Sequence, residues 1–488
     1  MRSKESSAVN KPGLFIMGST GEEKSLVESA SGFVRIAGAP ASGGLIYGYN
    51  LSSIAGAILV IREEFRLSPT SEEIVISAVL LGAVLGSALS GILADRIGRR
   101  RVLLLTSVAC VLGAMGTAMA PTVVLLVVFR LLVGVAIGLV SVAGPLYVAE
   151  IAPTQIRGRM VSYFTIAVAT GVLVGYVVDF ALSAHGHWRW MLGLGAIPGI
   201  LLGLAMQYMP ESPRWLLSHS FPERARDALA LFGGEDVEMQ VKAIQASLTE
   251  QSGTWKELLA PAVRPALFVG IGIALCREGG GANSFRVYAP TLFEFVGFRS
   301  AEVDLLLAVA IGVVNVALAF VVMRWVDHVG RRPLLLVGLG GIVMSLVVLG
   351  LSFLFSNALQ DDVLGWITFG CITVLMSSWQ IGPGSVTRLL TSEIFPLKVR
   401  GRALGIATVI QWGVYFLVTL PFLTLLTGVG AVATFWFYAL LGVGALIFCY
   451  DYAPETKGRS LEEIEASWRS RERSKPPRSQ APSVELTR

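Results

Sequence analysis

Apolar positions in this chain fall into twelve long runs, near residues 33–61, 74–94, 102–120, 122–147, 160–183, 189–209, 265–296, 303–325, 334–356, 363–392, 402–427 and 431–452. A helix of about 20 apolar residues spans a bilayer core of roughly 30 Å, so each run predicts one transmembrane crossing. A polar stretch over 210–264 separates the first six runs from the last six. Residues 1–32 are polar and mixed, without the charged n-region and apolar core of a signal peptide. The tail from 453 is charged and ends in a Pro/Ser/Arg-rich segment after Ser474, which reads as disordered. The pattern predicts an all-α membrane protein with 12 transmembrane helices. Its parts are an N-terminal tail (1–32), a six-helix bundle (33–209), a helical insert (210–264), a second bundle (265–452) and a C-terminal tail (453–488). The first run has the least certain start, because Arg35 and Pro40 interrupt it.

Composition agrees with that reading. Apolar residues make up 54% of the chain and charged residues 15%, against about 25% charged in soluble domains. This excludes an ordinary soluble enzyme, a disordered chain and a disulfide scaffold. The net charge of +5 would suit a polyanion partner if it were clustered, but it is spread over short loops. With the N-terminus inside, the inner loops hold Arg96, Arg99, Arg100, Arg101, Arg157, Arg159, Arg324, Arg331, Arg332, Lys398, Arg400 and Arg402. The outer loops hold Arg62, Arg66, Arg189 and Arg299, the first beside Glu63, Glu64, Glu72 and Glu73. Lys and Arg in short loops set topology, so both termini and the insert are expected in the cytoplasm of a cell-membrane protein. No nucleic-acid partner is implied. Cys110, Cys276, Cys371 and Cys449 sit inside apolar runs without metal-ligand spacing, and no His-x-x-x-His pair occurs. No metal or cofactor is expected, and no nucleophile–base pair suggests an enzyme.

The two halves repeat a signature. Asp95-Arg96-Ile-Gly98-Arg99-Arg100 in loop 2–3 matches Asp327-His-Val-Gly330-Arg331-Arg332 in loop 8–9. Glu150 with Arg157-Gly158-Arg159 matches Glu393 with Arg400-Gly401-Arg402. Repeated halves are the architecture of alternating-access carriers. Further segments are Gly43-Gly-Leu-Ile-Tyr-Gly48-Tyr-Asn50, Pro145-Leu-Tyr-Val-Ala-Glu150, Pro210-Glu-Ser-Pro-Arg214-Trp-Leu, Gly382-Pro-Gly384 and Pro454-Glu-Thr-Lys-Gly-Arg459. In this order and spacing they make residues 43–465 resemble the sugar porter family of the major facilitator superfamily. The resemblance implies two six-helix bundles, a small helical cytoplasmic domain and transport of a small polar solute.

The loop charges suggest a cytoplasmic latch. Asp95, Glu150, Asp327 and Glu393 are expected to pair with Arg96, Arg99, Arg157, Arg331 and Arg400 as the inner ends of the bundles close. A pair present in one state biases the equilibrium between states. Gly82-x-x-x-Gly86-x-x-x-Ser90, Gly134-x-x-x-Gly138 and Gly171-x-x-x-Gly175 place small residues along one helix face, which favours close helix packing in lipid. The charges inside the apolar runs that stand out are Arg130, Arg277, Glu278, Arg286 and Arg388, four cations and one anion among them. A charge at midplane costs roughly 3 kcal/mol or more, so these residues are expected either to pair or to line a water-filled cavity.

The resemblance also places the family's sugar contacts. Its helix-seven Gln-Gln pair is replaced by Arg277 and Glu278, followed by a matching Asn283, and its helix-eight Asn is Asn315. On helix ten a Glu position holds Gln380 and a Trp position holds Arg388. The helix-five Gln is Thr165; on helix eleven Trp412 is kept and an Asn is Tyr415. The helix-one acid of proton-coupled members is Asn50, while its helix-four partner Arg130 remains. An amide cannot cycle a proton, which favours facilitative or exchange transport, with Glu278 as the alternative coupling acid. Amides suit neutral hydroxyls, whereas guanidinium suits carboxylates. Gly382-Pro-Gly384 is expected to interrupt helix ten just before Arg388, and broken helices at midplane form carrier sites. The expected solute is therefore a sugar acid or other organic anion, with a neutral sugar or polyol as the alternative. A non-transporting nutrient sensor on the carrier fold is the alternative of another class. Lipid and, in the coupled alternative, protons are the remaining partners.

Overall fold

The computed structural model describes residues 42–152, 157–231, 236–250, 255–261, 263–295, 300–358, 360–396 and 399–457. The N-terminal tail and residues from 458 onward lie outside them, as do Arg35 and Pro40. Among the described residues every regular element is helical. The first half comprises α1 (Gly43–Glu64), α2 (Pro69–Ile97), α3 (Arg99–Ala118), α4 (Val123–Ile151), α5 (Arg157–Ser183), and the paired α6 (Trp188–Gly193) and α7 (Ala196–Gln207). The insert carries α8 (Pro213–Ser218), α9 (Pro222–Leu231), α10 (Val237–Glu250) and α11 (Trp255–Leu258). The second half comprises α12 (Arg264–Gly279), α13 (Ala282–Phe295), α14 (Ala301–Val329), α15 (Arg331–Leu354), α16 (Asp361–Trp379), α17 (Ser385–Ile394), α18 (Arg400–Thr419), α19 (Phe422–Gly428) and α20 (Ala431–Tyr452).

Among the described residues, eleven helical stretches are long and apolar enough to span a membrane. The seventh crossing is split, because Gly280 and Gly281 interrupt it and Gly281 turns the chain at φ +67°. Neither piece, 16 or 14 residues, is long enough to span alone. Helix ten shows the opposite outcome to the expected interruption. Gln380–Gly384 forms a π-helical turn between α16 and α17, and the chain stays helical through Pro383. Such a turn admits an extra residue without ending the helix.

Packing follows the small-residue faces. A Cβ at Gly82 would lie 2.1 Å from the Leu131 carbonyl oxygen, and one at Gly48 would lie 2.0 Å from that of Val168. Backbone therefore meets backbone where α2 packs on α4 and α1 on α5. Helices gain little from apolar burial against one another in lipid, so this close approach is a main source of cohesion. The halves meet along three seams: α5 with α14, α2 with α18, and α1 with α13.

Candidate functional site

At the end of the molecule bearing the Gly-Arg-Arg loops, the basic end, the two halves build the same device. Gly98 and Gly330 turn the chain at φ +96° and +104°, a conformation that glycine adopts without strain. The backbone N–H groups of Arg99 and Arg100, opening α3, donate to Glu211 Oε1 at 2.8 and 3.0 Å. Those of Arg331 and Arg332, opening α15, donate to Glu455 at 3.1 Å each. A carboxylate at a helix N-terminus satisfies orphan donors and meets the positive end of the helix dipole. Burial opposes the charge of Glu455, yet the backbone N–H groups of Lys457, Arg331, Arg332 and Thr456 outweigh it and hold the carboxyl below its ordinary range. Behind each cap lies an ion pair: Arg99 Nε to Glu150 at 2.9 Å, and Arg331 to Glu393 at 3.3 Å. Ser212 and Thr456 donate to the same two acids at 2.5 Å.

Pairs among the expected latch residues are present here. The pairs form inside each half, not between them, because each glutamate lies at the end of a helix packed beside its own half's Gly-Arg-Arg turn. Asp95 pairs with Arg99 at 3.2 Å. Arg96 is exposed, and Arg400 Nε donates to the Phe395 carbonyl at 3.1 Å instead of to Glu393. The side chains of Arg157 and Asp327 lie outside the described residues.

At mid-depth, on the seam between the halves, a cavity is lined by Tyr47, Thr165, Arg277, Asn315, Gln380 and Arg388, with Arg286 and Trp379. Arg277 lies 3.1 Å from Glu278 and donates to the Pro383 and Gly384 carbonyls at 3.2 and 3.0 Å. The π-turn presents both carbonyls to it. Asn283 and Gln411 donate to Glu278 at 2.7 and 3.3 Å. Arg286 lies over Trp379 with 4.5 Å to the ring centroid. Arg388 sits between Phe164 and Tyr47 at 5.3 and 6.0 Å, and it also lines a second pocket running between α5, α14 and α17. Among the described residues neither Arg286 nor Arg388 has a carboxylate within ion-pair distance.

Of the residues singled out from sequence, Thr165, Arg277, Asn315, Gln380 and Arg388 line the cavity directly. Glu278 and Asn283 stand behind Arg277, and Tyr415 donates to the Asn283 carbonyl at 3.2 Å. Trp412 is fully buried against Tyr47 and donates to Ser141 across the seam at 3.3 Å. Asn50 and Arg130 stand apart from the lining. Asn50 donates to the Ile46 carbonyl at 3.0 Å within its own helix, and Arg130 Nε donates to the Val75 carbonyl on α2 at 3.1 Å. Sequence reasoning missed the structural parts played by Tyr47, Trp379 and Gln411, which carry no distinguishing spacing. It also missed Asp179, a further acid inside an apolar run, which a full count of charges within the runs would have found.

At the opposite, acidic end the halves are joined. Arg62 pairs with Glu294 at 2.5 Å, and Glu73 accepts from the Thr424 backbone N–H and hydroxyl at 2.6 and 2.7 Å. Deeper in, the Tyr176 hydroxyl donates to the Arg286 carbonyl at 2.8 Å. The cavity is thus sealed from the acidic end.

Comparison with known proteins agrees with this architecture. The family model described as "Sugar (and other) transporter" matches residues 37–468. The D-xylose transporter of Levilactobacillus brevis is 37% identical over 446 residues, covering 91% of this chain and 96% of that protein. The arabinose-proton symporter of Bacillus subtilis is 33% identical over 440 residues, covering 87% and 93%. The proton:xylose symporter XylE, solved with 6-bromo-6-deoxy-D-glucose bound, superposes with a TM-score of 0.76 at 29% identity, covering 90% of this chain and all of that one. With twelve crossings in two repeated halves and a cavity on their seam, this chain belongs to the sugar porter family of the major facilitator superfamily.

Proposed function

We propose that this carrier moves a neutral monosaccharide of pentose or hexose size across the cell membrane by alternating access, with its basic end and both termini in the cytoplasm. The observation that carries the proposal is the cavity wall, where Thr165, Asn315 and Gln380 offer donors and acceptors beside the flat ring of Trp379. Amides and hydroxyls match sugar hydroxyls, and an apolar wall with a few convergent polar groups suits a small ligand. The relatives named for xylose and arabinose support this class over the organic anion expected from the arginines alone. Asn50 in place of the family's helix-one acid favours facilitative or exchange transport. Glu278 is engaged by Arg277 and by the amides of Asn283 and Gln411.

Arg388 favours a second reading, a solute bearing a carboxylate. It is a guanidinium in the cavity without an acidic partner among the described residues. Uptake of D-xylose, D-glucose and D-glucuronate into proteoliposomes, by wild type and Arg388→Gln, separates the two. A neutral-sugar carrier takes up D-xylose or D-glucose, and Arg388→Gln changes affinity by no more than a few-fold. An anion carrier prefers D-glucuronate, and Arg388→Gln costs on the order of 2–5 kcal/mol of binding. Transport of none of the three removes the monosaccharide reading.

A further inference from the structure

A further intramembrane acid has no part in the cavity. Asp179 lies on α5 along the stripe formed by Thr165, Val168, Ala169 and Val172, which line the cavity, and Tyr176, which seals it. It continues that stripe beyond the seal, toward the acidic end. Its side chain is wholly buried. Oδ2 accepts from the Gly56 backbone N–H of α1 at 2.9 Å, and Oδ1 has no partner. The fit to α1 depends on glycine, since a Cβ at Gly56 would lie 2.6 Å from the Asp179 Cβ.

The groups that face Asp179 do not neutralise a carboxylate. From α1, the Tyr49 hydroxyl is engaged with the Met191 carbonyl at 2.7 Å. From α5 itself, the Tyr176 hydroxyl is engaged with the Arg286 carbonyl. The α13 cation Arg286 holds its guanidinium over Trp379. The α6 cation Arg189 pairs with Glu64 at 2.9 Å, and α4's Arg130 binds α2. On α14 the next ionisable group is another acid, Asp304, one helical turn from the Ala308 that packs against Tyr176. Glu278 forms the contrast, with a guanidinium and two amides around it. A bare buried carboxylate costs far more than a buried neutral acid.

We propose that Asp179 is a proton-binding site whose loading accompanies closure of the acidic end. This rests on the alternating-access reading, with the acidic end as the outer one. When the outer end opens, α13 leaves α1 and α5, the Tyr176–Arg286 contact breaks, and outer water reaches Asp179. Oδ1 takes one proton from that water before the seal re-forms around the neutral acid. Reopening returns the proton to the same side. The cycle therefore depends on outer pH without moving a proton across the membrane.

Two measurements on the full chain test this. Infrared difference spectra of the protein in lipid, at about pH 7.5, read the C=O band of a protonated carboxylic acid without any solute; wild type minus Asp179→Asn should retain one such band. Counterflow of D-xylose in proteoliposomes at fixed inner pH should slow as outer pH rises, by up to about tenfold per pH unit, the slope of one proton, while Asp179→Asn is flat. If D-xylose is not carried, the same counterflow is read with D-glucose; if neither is carried, the neutral-sugar reading fails and the spectra still decide the proton site. Absence of the band, an unchanged slope in Asp179→Asn, a slope lost in Asp304→Asn but kept in Asp179→Asn, or proton-driven D-xylose accumulation abolished by Asp179→Asn would each overturn the proposal.

Discussion

The two halves of this carrier agree at one depth and disagree at another. At the basic end Glu211, Arg99, Glu150 and Ser212 find counterparts in Glu455, Arg331, Glu393 and Thr456, almost atom for atom. Within the membrane the first half isolates its ionisable groups, leaving Arg130 on a backbone carbonyl and Asp179, toward the acidic end, on a backbone N–H. The second half gathers Arg277, Arg286 and Arg388 around Glu278 and Trp379. Features shared by both halves hold each bundle's end together, because the same helix ends need the same caps. Features found in one half alone are where a solute or a proton can be treated asymmetrically.

That contrast is open to attack. The largest effect should come from filling a close backbone contact in the first half. Gly82→Leu or Gly48→Leu should cost several kcal/mol and abolish the folded carrier, whereas Gly340→Leu or Gly444→Leu, where a Cβ meets nothing within 4 Å, should leave it monodisperse on gel filtration. Next is the buried pair of the second half. Arg277→Gln leaves the carboxylate of Glu278 without its cation, at a cost of about 3–5 kcal/mol, and Arg277→Gln with Glu278→Gln should recover most of the lost thermal stability. If the single and double variants melt alike, the pair is not a unit.

The basic-end devices should differ in proportion to their burial. The Arg99 and Glu150 side chains are 10% and 6% exposed, against 14% and 27% for Arg331 and Glu393. Glu150→Gln should therefore lower the melting temperature more than Glu393→Gln; the reverse order would break the burial argument. The smallest effect belongs to the cap at α15. The Glu455 carboxyl lies below its ordinary range, so its contribution is present above the unfolded value, about 4.3, and is lost as pH falls through the lower folded value. Glu455→Gln should lower stability modestly at neutral pH, flatten the acid limb of a stability–pH profile and converge with wild type below the folded value.

Much of the fold was legible in the sequence. Run length predicts the crossings, because the bilayer core fixes it, and the repeated Gly-Arg-Arg loops announce two related halves. The seventh crossing was legible as an apolar run, but its division was not, since periodicity is blind to Gly281 and its positive φ. The π-turn was hidden for a related reason: Gly382-Pro-Gly384 signals disturbance without saying whether the helix ends or swells. At the site, Arg277, Asn315 and Gln380, singled out by residue type, stand on the cavity wall. Spacing could not place Asn50 and Arg130 on the far side of their helices. It also could not say whether a loop arginine pairs within its own half, because that depends on which helix end packs beside it.

The cluster at mid-depth has a consequence for what the membrane retains. Three guanidinium groups line a narrow cavity, and one of them, Arg277, is paired with a carboxylate. In a low-dielectric surround their potential is weakly screened, so a small inorganic cation entering from either side meets repulsion. A carrier whose gates open alternately risks passing sodium or potassium whenever both leak together. The excess of guanidinium over carboxylate at this depth therefore works against the entry of small cations, whichever solute the cavity takes.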